Sequence, residues 1–121
     1  MIDHVTVNVD DIETAKKFYV RALSPLGLTM KMEFETAAGF GSGDGIPPFW
    51  VGSRPERGAS HVAFSAPDRS TVDAFHDAAL AAGGSDNGAP GLRPALHPNY
   101  YAAFVHDASG NNLEAVCHLP E

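Results

Sequence analysis

An internal repeat constrains the fold of this chain more than any other feature of its sequence. When the chain is shifted by 57 residues without a gap, His4 falls on His61 and Asp11 falls on Asp68. The same shift aligns Val5 with Val62, Thr14 with Thr71, Phe18 with Phe75, Ala22 with Ala79, Leu23 with Leu80 and Gly27 with Gly84. Two unrelated amphipathic helices would explain the apolar matches, but not a histidine at the same strand position in both halves. We therefore predict two copies of one supersecondary unit.

The first half has the pattern of a βαβββ unit. Residues 2–9 alternate apolar and polar side chains, which predicts a half-buried strand. Residues 12–23 have helical spacing, with Asp10 or Asp11 as the N-cap and Pro25 and Gly27 at the end. Further strands are predicted at 28–35, where Met30, Met32 and Phe34 alternate with polar residues, at 37–42 and at 49–51.

The second half repeats this order. A strand is predicted at 60–66, and a helix at 69–84, capped by Asp68 and closed by Gly83 and Gly84. The Gly- and Pro-rich residues 85–98 predict a loop or a poor edge strand. Strands are predicted at 99–106 and 111–117, joined by a turn at 107–110.

Composition limits the classes of function. The 121 residues fit one domain, and 44% hydrophobic residues support a sizeable core. A net charge of −7 repels phosphate backbones and anionic lipid, so neither nucleic acid nor a membrane is an expected partner. The sequence has no apolar run of membrane-spanning length and no signal-like start, and Cys117 is its one cysteine. These features predict a cytoplasmic protein.

The residues at the end of the chain resemble a family motif. Residues 107–114, D-A-S-G-N-N-L-E, are similar to D-P-D-G-x-x-[IL]-E of the vicinal oxygen chelate superfamily, with Ala108 and Ser109 departing from Pro-Asp. The two His-Val pairs at 4–5 and 61–62 strengthen the resemblance, which covers the whole chain. The superfamily includes glyoxalase I, bleomycin resistance proteins, extradiol dioxygenases and fosfomycin thiol transferases.

The resemblance implies an α+β fold. Tandem βαβββ modules should form a curved, cup-like mixed sheet of about eight strands, with the helices outside. The chain would be a single glyoxalase-like domain, 1–121, with module 1 at about 1–56 and module 2 at about 57–121.

The resemblance also implies a metal site formed by His4, His61 and Glu114. Strand alternation agrees, because Val5 and Leu113 should face the helices and leave these three side chains on the concave side. Two imidazoles and a carboxylate suit one divalent ion of Zn, Ni, Fe, Mn or Co, with open coordination positions. The alternative is a pair of strand histidines satisfied by hydrogen bonds, with Glu114 as a charge at the rim.

The fourth ligand of glyoxalase I is missing. Members with four ligands have a second glutamate on the last strand of module 1, where this chain has Phe49, Trp50 and Val51. Spacing leaves open whether Phe49 or Trp50 faces the cup. The three-ligand set resembles extradiol dioxygenases and fosfomycin thiol transferases more than glyoxalase I.

Several other residues are candidates for the pocket. Arg93 is either a residue that binds an anionic group of the substrate or an ordinary surface arginine. His97 is either an acid or base or a loop histidine without a task. Tyr100 either donates a hydrogen bond to the substrate or is a packed aromatic residue. The substrate-binding candidates are Trp50, Arg93, Tyr100, Phe104 and His118; the catalytic candidates are His97 and Tyr100. His76 and His106 are interpreted as structural.

The leading hypothesis is a metal-dependent enzyme, lyase- or isomerase-like, acting on a small oxygen-rich substrate chelated to the metal. The alternatives are an extradiol-type Fe(II) dioxygenase and a metal-free binding protein of the bleomycin-resistance kind. Exposed strand edges predict a homodimer. Its site would lie within one chain, or combine His4 of one chain with His61 and Glu114 of the other.

Overall fold

A computed structural model describes residues 3–53 and 60–121, and in each stretch the order of elements is βαβββ. The first contains β1 (Val5–Val9), α1 (Ile12–Ala22), β2 (Thr29–Glu33), β3 (Ala37–Gly41) and β4 (Phe49–Ser53), with a short 3₁₀ helix (Ser24–Leu26) after α1. The second contains β5 (His61–Ser65), α2 (Arg69–Ala81), β6 (Ser85–Leu92), β7 (Tyr101–His106) and β8 (Asn112–Cys117). The start of the strand predicted at 2–9 and the module boundary near residue 56 lie outside the described residues.

The two modules have the same sheet topology. The strand orders are β1-β4-β3-β2 and β5-β8-β7-β6. In each sheet the first strand pairs in parallel with the last and the other pairs are antiparallel. The predicted α+β architecture of tandem modules with mixed sheets is therefore confirmed. The hydrogen bonds divide the eight strands into two sheets, so that β1 and β5 each lie at the edge of a separate sheet.

A proline explains why β1 begins later than its counterpart. In module 2, the backbone N–H of Asn112 donates to the carbonyl of Ser60 and extends the ladder to the start of β5. The corresponding position beside β1 is Pro48, which has no N–H to donate. Consequently His61 lies in its strand, whereas His4 precedes β1.

The other differences from the predicted strands have local causes. In β2 the register shifts between Met30 and Met32, so that Met30 lies opposite Phe40 but Met32 lies opposite Gly39. Because Phe40 and Gly39 point to opposite faces of β3, this bulge moves Met32 away from the core. The segment predicted as loop or edge strand begins with the edge strand β6, whose pairing with β7 shifts register on both sides of Gly88.

The helices cover one face of the sheets and begin at equivalent residues. Asp11 accepts hydrogen bonds from the backbone N–H groups of Glu13 and Thr14, and Asp68 accepts one from that of Thr71. These caps confirm helix starts at the positions matched by the repeat. The buried core between helices and sheets includes Val7, Val9, Phe18, Tyr19, Phe40, Phe49, Val51, Val72, Phe75, Val105, Leu113 and Cys117. Neither helix in the described ranges is long and apolar enough to cross a bilayer.

The turn after β7 connects the modules. The hydroxyl of Tyr19 on α1 donates to Oδ2 of Asp107 (2.8 Å), and the amide of Asn111 donates to the backbone carbonyl of Asn8 (2.8 Å). Asp107 is buried and also accepts from the amide and the backbone N–H of Asn111. Burial and the nearby Asp107 charge raise the pKa of Tyr19 well above its usual value, so this phenol remains a donor. The turn motif thus holds β8 against module 1.

Candidate functional site

Glu114 is a buried carboxylate on the face of β8 that is turned away from the core. Its neighbours Leu113 and Ala115 are fully buried in the core, so the alternation of β8 turns Glu114 to the opposite face. Only 2% of Glu114 is exposed. An ionised carboxylate at such a position needs hydrogen bonds and positive charge around it. The sequence prediction that this side chain faces away from the helices agrees with the strand geometry.

His61 lies between two oxygen acceptors. Its Nε2 atom is 3.1 Å from Oε1 of Glu114, and its Nδ1 atom is 3.1 Å from the backbone carbonyl of Asn112. A neutral imidazole has one N–H, so either tautomer leaves one unprotonated nitrogen facing an oxygen. A second proton or a bound cation removes this conflict. With Nδ1–H donated to the carbonyl, Nε2 and the carboxylate oxygen form a donor set that fits a divalent metal.

Tyr100 and Phe104 complete the surroundings of Glu114. The hydroxyl of Tyr100 donates to Oε2 of Glu114, and this hydrogen bond raises the pKa of Tyr100 to about 12. Phe104 lies directly opposite Glu114 in the β7–β8 register, and its ring stacks on His61 with a centroid distance of 6.3 Å. Tyr100 therefore contacts Glu114, a candidate metal ligand. The sequence pattern did not predict this contact.

The remaining candidates of module 2 lie around this group. The Arg93 guanidinium is 5.5 Å from the Phe104 ring centroid, and its Nη2 donates to the carbonyl of Ala89 (2.8 Å). The His118 ring is 5.2 Å from the Tyr100 ring and 5.8 Å from the His97 ring. We refer to the contiguous set as the module 2 site: His61, Arg93, His97, Tyr100, Phe104, Glu114 and His118.

His4 does not join this site within one chain. Its side chain is 55% exposed, and its Nδ1 is 3.9 Å from the carboxylate of Asp3. Residues 3–53 and 60–121 contain no group of three or more His, Cys, Asp or Glu side chains placed to hold a metal ion. One chain thus brings together two of the three ligands implied by the resemblance, His61 and Glu114.

The strand register identifies which aromatic residue of β4 matches Glu114. Thr6 pairs with Trp50, and its repeat counterpart Ala63 pairs with Glu114. Phe49 instead points into the core, where it is buried and contacts Phe64 at a centroid distance of 5.0 Å. Trp50 consequently occupies the module 1 position equivalent to Glu114.

Trp50 forms part of an aromatic surface on module 1. Its ring stacks on Phe34 (6.2 Å between centroids, 20° between planes), and Nε1 donates to the carbonyl of Pro47 (2.8 Å). It lies over Gly39, where an added Cβ would come within 2.9 Å of the indole. Half of the surface of Phe34 is exposed, and the sequence pattern did not predict this residue as part of the pocket. The β2 bulge that exposes it leaves no clear signal in the alternation of residues 28–35.

Two other contacts in module 2 involve histidines. The Asn112 carbonyl contacts His61, but a backbone atom leaves no sequence signal. His76, interpreted as structural, is buried on α2 and contacts Oδ1 of Asp86 through Nε2 (2.9 Å). This contact lowers the pKa of Asp86, and it fastens β6 to the helix rather than facing the module 2 site.

Comparisons with solved structures agree with this fold. A glyoxalase/bleomycin resistance protein from Albidiferax ferrireducens is 27% identical, with coverage of 95% of this chain and 97% of that chain and a TM-score of 0.83. A lactoylglutathione lyase from Agrobacterium tumefaciens is 20% identical (coverage 97% and 92%, TM-score 0.70). TioX from Micromonospora is also 20% identical (coverage 98% and 99%, TM-score 0.75). At 20% identity the last two show likeness of fold alone.

A search of curated proteins finds no match. A family model, however, matches residues 1–115. That match includes both His-Val pairs and the glutamate of the C-terminal motif. The chain belongs to the Glyoxalase/Bleomycin resistance protein/Dioxygenase superfamily.

Proposed function

We propose that the protein is a divalent-metal-dependent enzyme that acts on a small oxygen-rich substrate by lyase- or isomerase-like chemistry. Divalent metals are common in this superfamily. The observation that supports the proposal is the placement of His61 between two acceptor oxygens beside a buried carboxylate, which calls for positive charge at Nε2. The ion would be Zn, Ni, Fe, Mn or Co, held by His4, His61 and Glu114.

The proposed site is shared between two chains of a homodimer. His61 and Glu114 come from one chain, and His4 comes from its partner. A groove of about 450 Å³ lies along the edge strands β1 and β5, and its lining includes the partly buried Val5, Leu28 and Phe64. Pairing two chains would cover these apolar side chains and the strand edges. We further propose one domain spanning residues 1–121 in a reducing cytoplasm, where the buried Cys117 thiol would persist.

The residues of the module 2 site have separate tasks in this proposal. When bound, a divalent metal supplies Lewis-acid stabilisation of negative charge on oxygen. Arg93 binds an anionic group of the substrate while its guanidinium rests on the Phe104 ring. Nδ1 of His97 accepts a hydrogen bond from the backbone N–H of Asn99 (3.1 Å), so the neutral ring has its proton on Nε2. The Nε2–H group of His97 can donate a hydrogen bond to a substrate oxygen.

A metal-free binding protein is the second candidate, and the aromatic surface of Phe34 and Trp50 favours it. Phe34 stacks on Trp50 and is half exposed, so its ring offers an apolar surface to a planar ligand. Under this alternative, removing metal from the protein leaves its affinity for the ligand unchanged. An Fe(II) dioxygenase would instead consume dioxygen with a catechol-type substrate.

Metal titration of purified protein tests the proposal. We expect about one divalent ion per chain, bound much more weakly by His61→Ala and equally well by the control His106→Ala. A screen of small diols, 2-oxoaldehydes and epoxides with several metals then seeks the substrate. Equal affinity of His61→Ala and wild type would refute the metal site.

A further inference from the structure

We propose that Tyr100 is a positioning residue that makes Glu114 a ligand through one oxygen, Oε1. The inference rests on the metal site proposed above. The two carboxylate oxygens of Glu114 have different partners: Oε1 faces Nε2 of His61 at 3.1 Å, and Oε2 accepts the hydroxyl hydrogen of Tyr100. A carboxylate with one oxygen held by a neutral donor keeps the other oxygen for a cation.

Backbone hydrogen bonds and a ring contact hold Tyr100 in place. Its N–H donates to the carbonyl of His97 (3.1 Å), and its carbonyl accepts from the N–H of Arg93 (2.7 Å). The ring also meets the His118 ring edge-on, with 83° between the planes. These contacts hold the phenol before any ligand binds, so the donor is preorganised toward Oε2.

Occupation of Oε2 has a chemical consequence for the site. A glutamate that binds through both oxygens fills two coordination positions, whereas one that binds through Oε1 fills one. The position saved remains open to a substrate oxygen. Tyr100 thereby favours chelation of a substrate with two neighbouring oxygens, although its own hydroxyl does not contact the substrate.

The adjacent tyrosine provides a matched control. Tyr101 points to the other face of β7, where its hydroxyl donates to Oδ1 of Asp73 on α2 (2.7 Å). Tyr100→Phe and Tyr101→Phe each remove one hydroxyl bound to one carboxylate. Only the first change alters the surroundings of Glu114.

We would titrate wild type, Tyr100→Phe and Tyr101→Phe with Co(II), following visible absorption, and record thermal unfolding without metal. Tyr100→Phe should bind Co(II) roughly 10–100-fold more weakly, as removal of a residue that orients a ligand typically does. Its absorption should also be less intense per bound ion, because a second carboxylate oxygen raises the coordination number. Tyr101→Phe should match wild type in both properties.

The outcomes separate the two proposals. If wild type binds no Co(II), the metal site itself is wrong and this inference is wrong with it. If wild type binds and Tyr100→Phe has the same affinity and spectrum, only the role of Tyr100 is refuted. If Tyr100→Phe does not fold, infrared difference spectra of ¹³C-glutamate-labelled wild type decide. Binding through one oxygen predicts widely separated carboxylate stretches on Co(II) addition, and closely spaced stretches would overturn the inference.

Discussion

The two modules share one topology but differ in the side chains on the sheet face turned away from the core. At the strand position where module 2 has Glu114, module 1 has Trp50, and opposite these residues stand Phe104 and Gly39 respectively. Module 2 therefore presents a buried carboxylate above an aromatic ring, and module 1 presents an indole above a glycine. The repeat supplies equivalent positions, and the side chains at those positions decide whether a module presents a carboxylate or an indole there.

The repeated histidines differ in a similar way. His61 lies in β5 and contacts both Glu114 and the Asn112 carbonyl, whereas His4 is exposed before β1. Pro48 explains part of this difference, because it cannot extend the ladder beside His4. An exposed histidine next to an unpaired strand edge is suited to a ligand set completed by a second chain.

The largest expected effect comes from removing the carboxylate of module 2. Glu114→Gln keeps the shape of the side chain but removes its charge. It should weaken divalent metal binding by more than about 100-fold, or ~2.7 kcal/mol. Trp50→Phe, the matched change in module 1, should leave the affinity within about twofold of wild type. Calorimetric titration measures both, and equal losses would remove the distinction between the modules.

The next effect concerns the contact between the modules. Asp107→Ala leaves the hydroxyl of Tyr19 and the amide of Asn111 without their shared acceptor, and should lower the free energy of unfolding by about 2 kcal/mol. Asp73→Ala, which removes an exposed acceptor within module 2, should have a much smaller effect. Urea unfolding checks the pair. A smaller loss for Asp107→Ala than for Asp73→Ala would show that the turn does not join the modules.

A gain of function would sharpen the comparison. Trp50→Glu places a carboxylate at the module 1 position equivalent to Glu114, where it can supply the fourth ligand if module 1 faces the shared site. Metal affinity should rise by about tenfold, or ~1.4 kcal/mol. Trp50→Gln controls for loss of the indole. Equal affinities of the two variants would place Trp50 away from the metal.

The smallest effect is a difference in acid stability between the helix caps. Hydrogen bonds from Thr14 to Asp11, and from Thr71 and Ser70 to Asp68, hold the pKa of each carboxyl below its usual 3.8. A lowered folded-state pKa gives stability that is present above pH 3.8 and is lost as pH falls through the folded value. Asparagine can still cap the helix but has no carboxyl group to titrate. In each Asp→Asn variant, Tm should therefore fall less steeply than in wild type below about pH 4.

The flattening should be greater for Asp68→Asn, because Asp68 accepts hydrogen bonds from the Ser70 and Thr71 hydroxyls as well as from a backbone N–H. Thermal melts between pH 2 and 6 would measure it, a range set around the usual aspartate pKa of about 4. A greater flattening for Asp11→Asn would contradict the ranking of the two caps.

Local patterns in the sequence predict most of the fold. Alternation places Leu113 and Glu114 on opposite faces of β8, and helical spacing with an acidic cap predicts both helices. Pairing between distant strands is not visible in such patterns. Whether Phe49 or Trp50 faces the core depends on the register of β1 with β4, and the exposure of Phe34 depends on a bulge opposite β3.

For the candidate site as well, local patterns predict some features, and others depend on the folding of distant segments. Its residue types and faces follow from the repeat, the strand alternation and the C-terminal motif. The hydrogen bond from Tyr100 to Glu114 depends instead on how the segment between β6 and β7 folds back, with the N–H of Arg93 bonded to the carbonyl of Tyr100. A contact set by such a return of the chain has no periodic signal.

Metal stoichiometry in mixed dimers tests the central claim most directly. The claim is that His61 and Glu114 of one chain bind a metal together with His4 of the partner. Chains with His4→Ala and chains with Glu114→Ala, each unable to bind metal alone, are mixed and the heterodimer is isolated by two different affinity tags. A shared site predicts about one divalent ion per heterodimer, because one pair of intact half-sites is restored. A heterodimer that binds no metal, while wild type binds it, would contradict a site shared between chains.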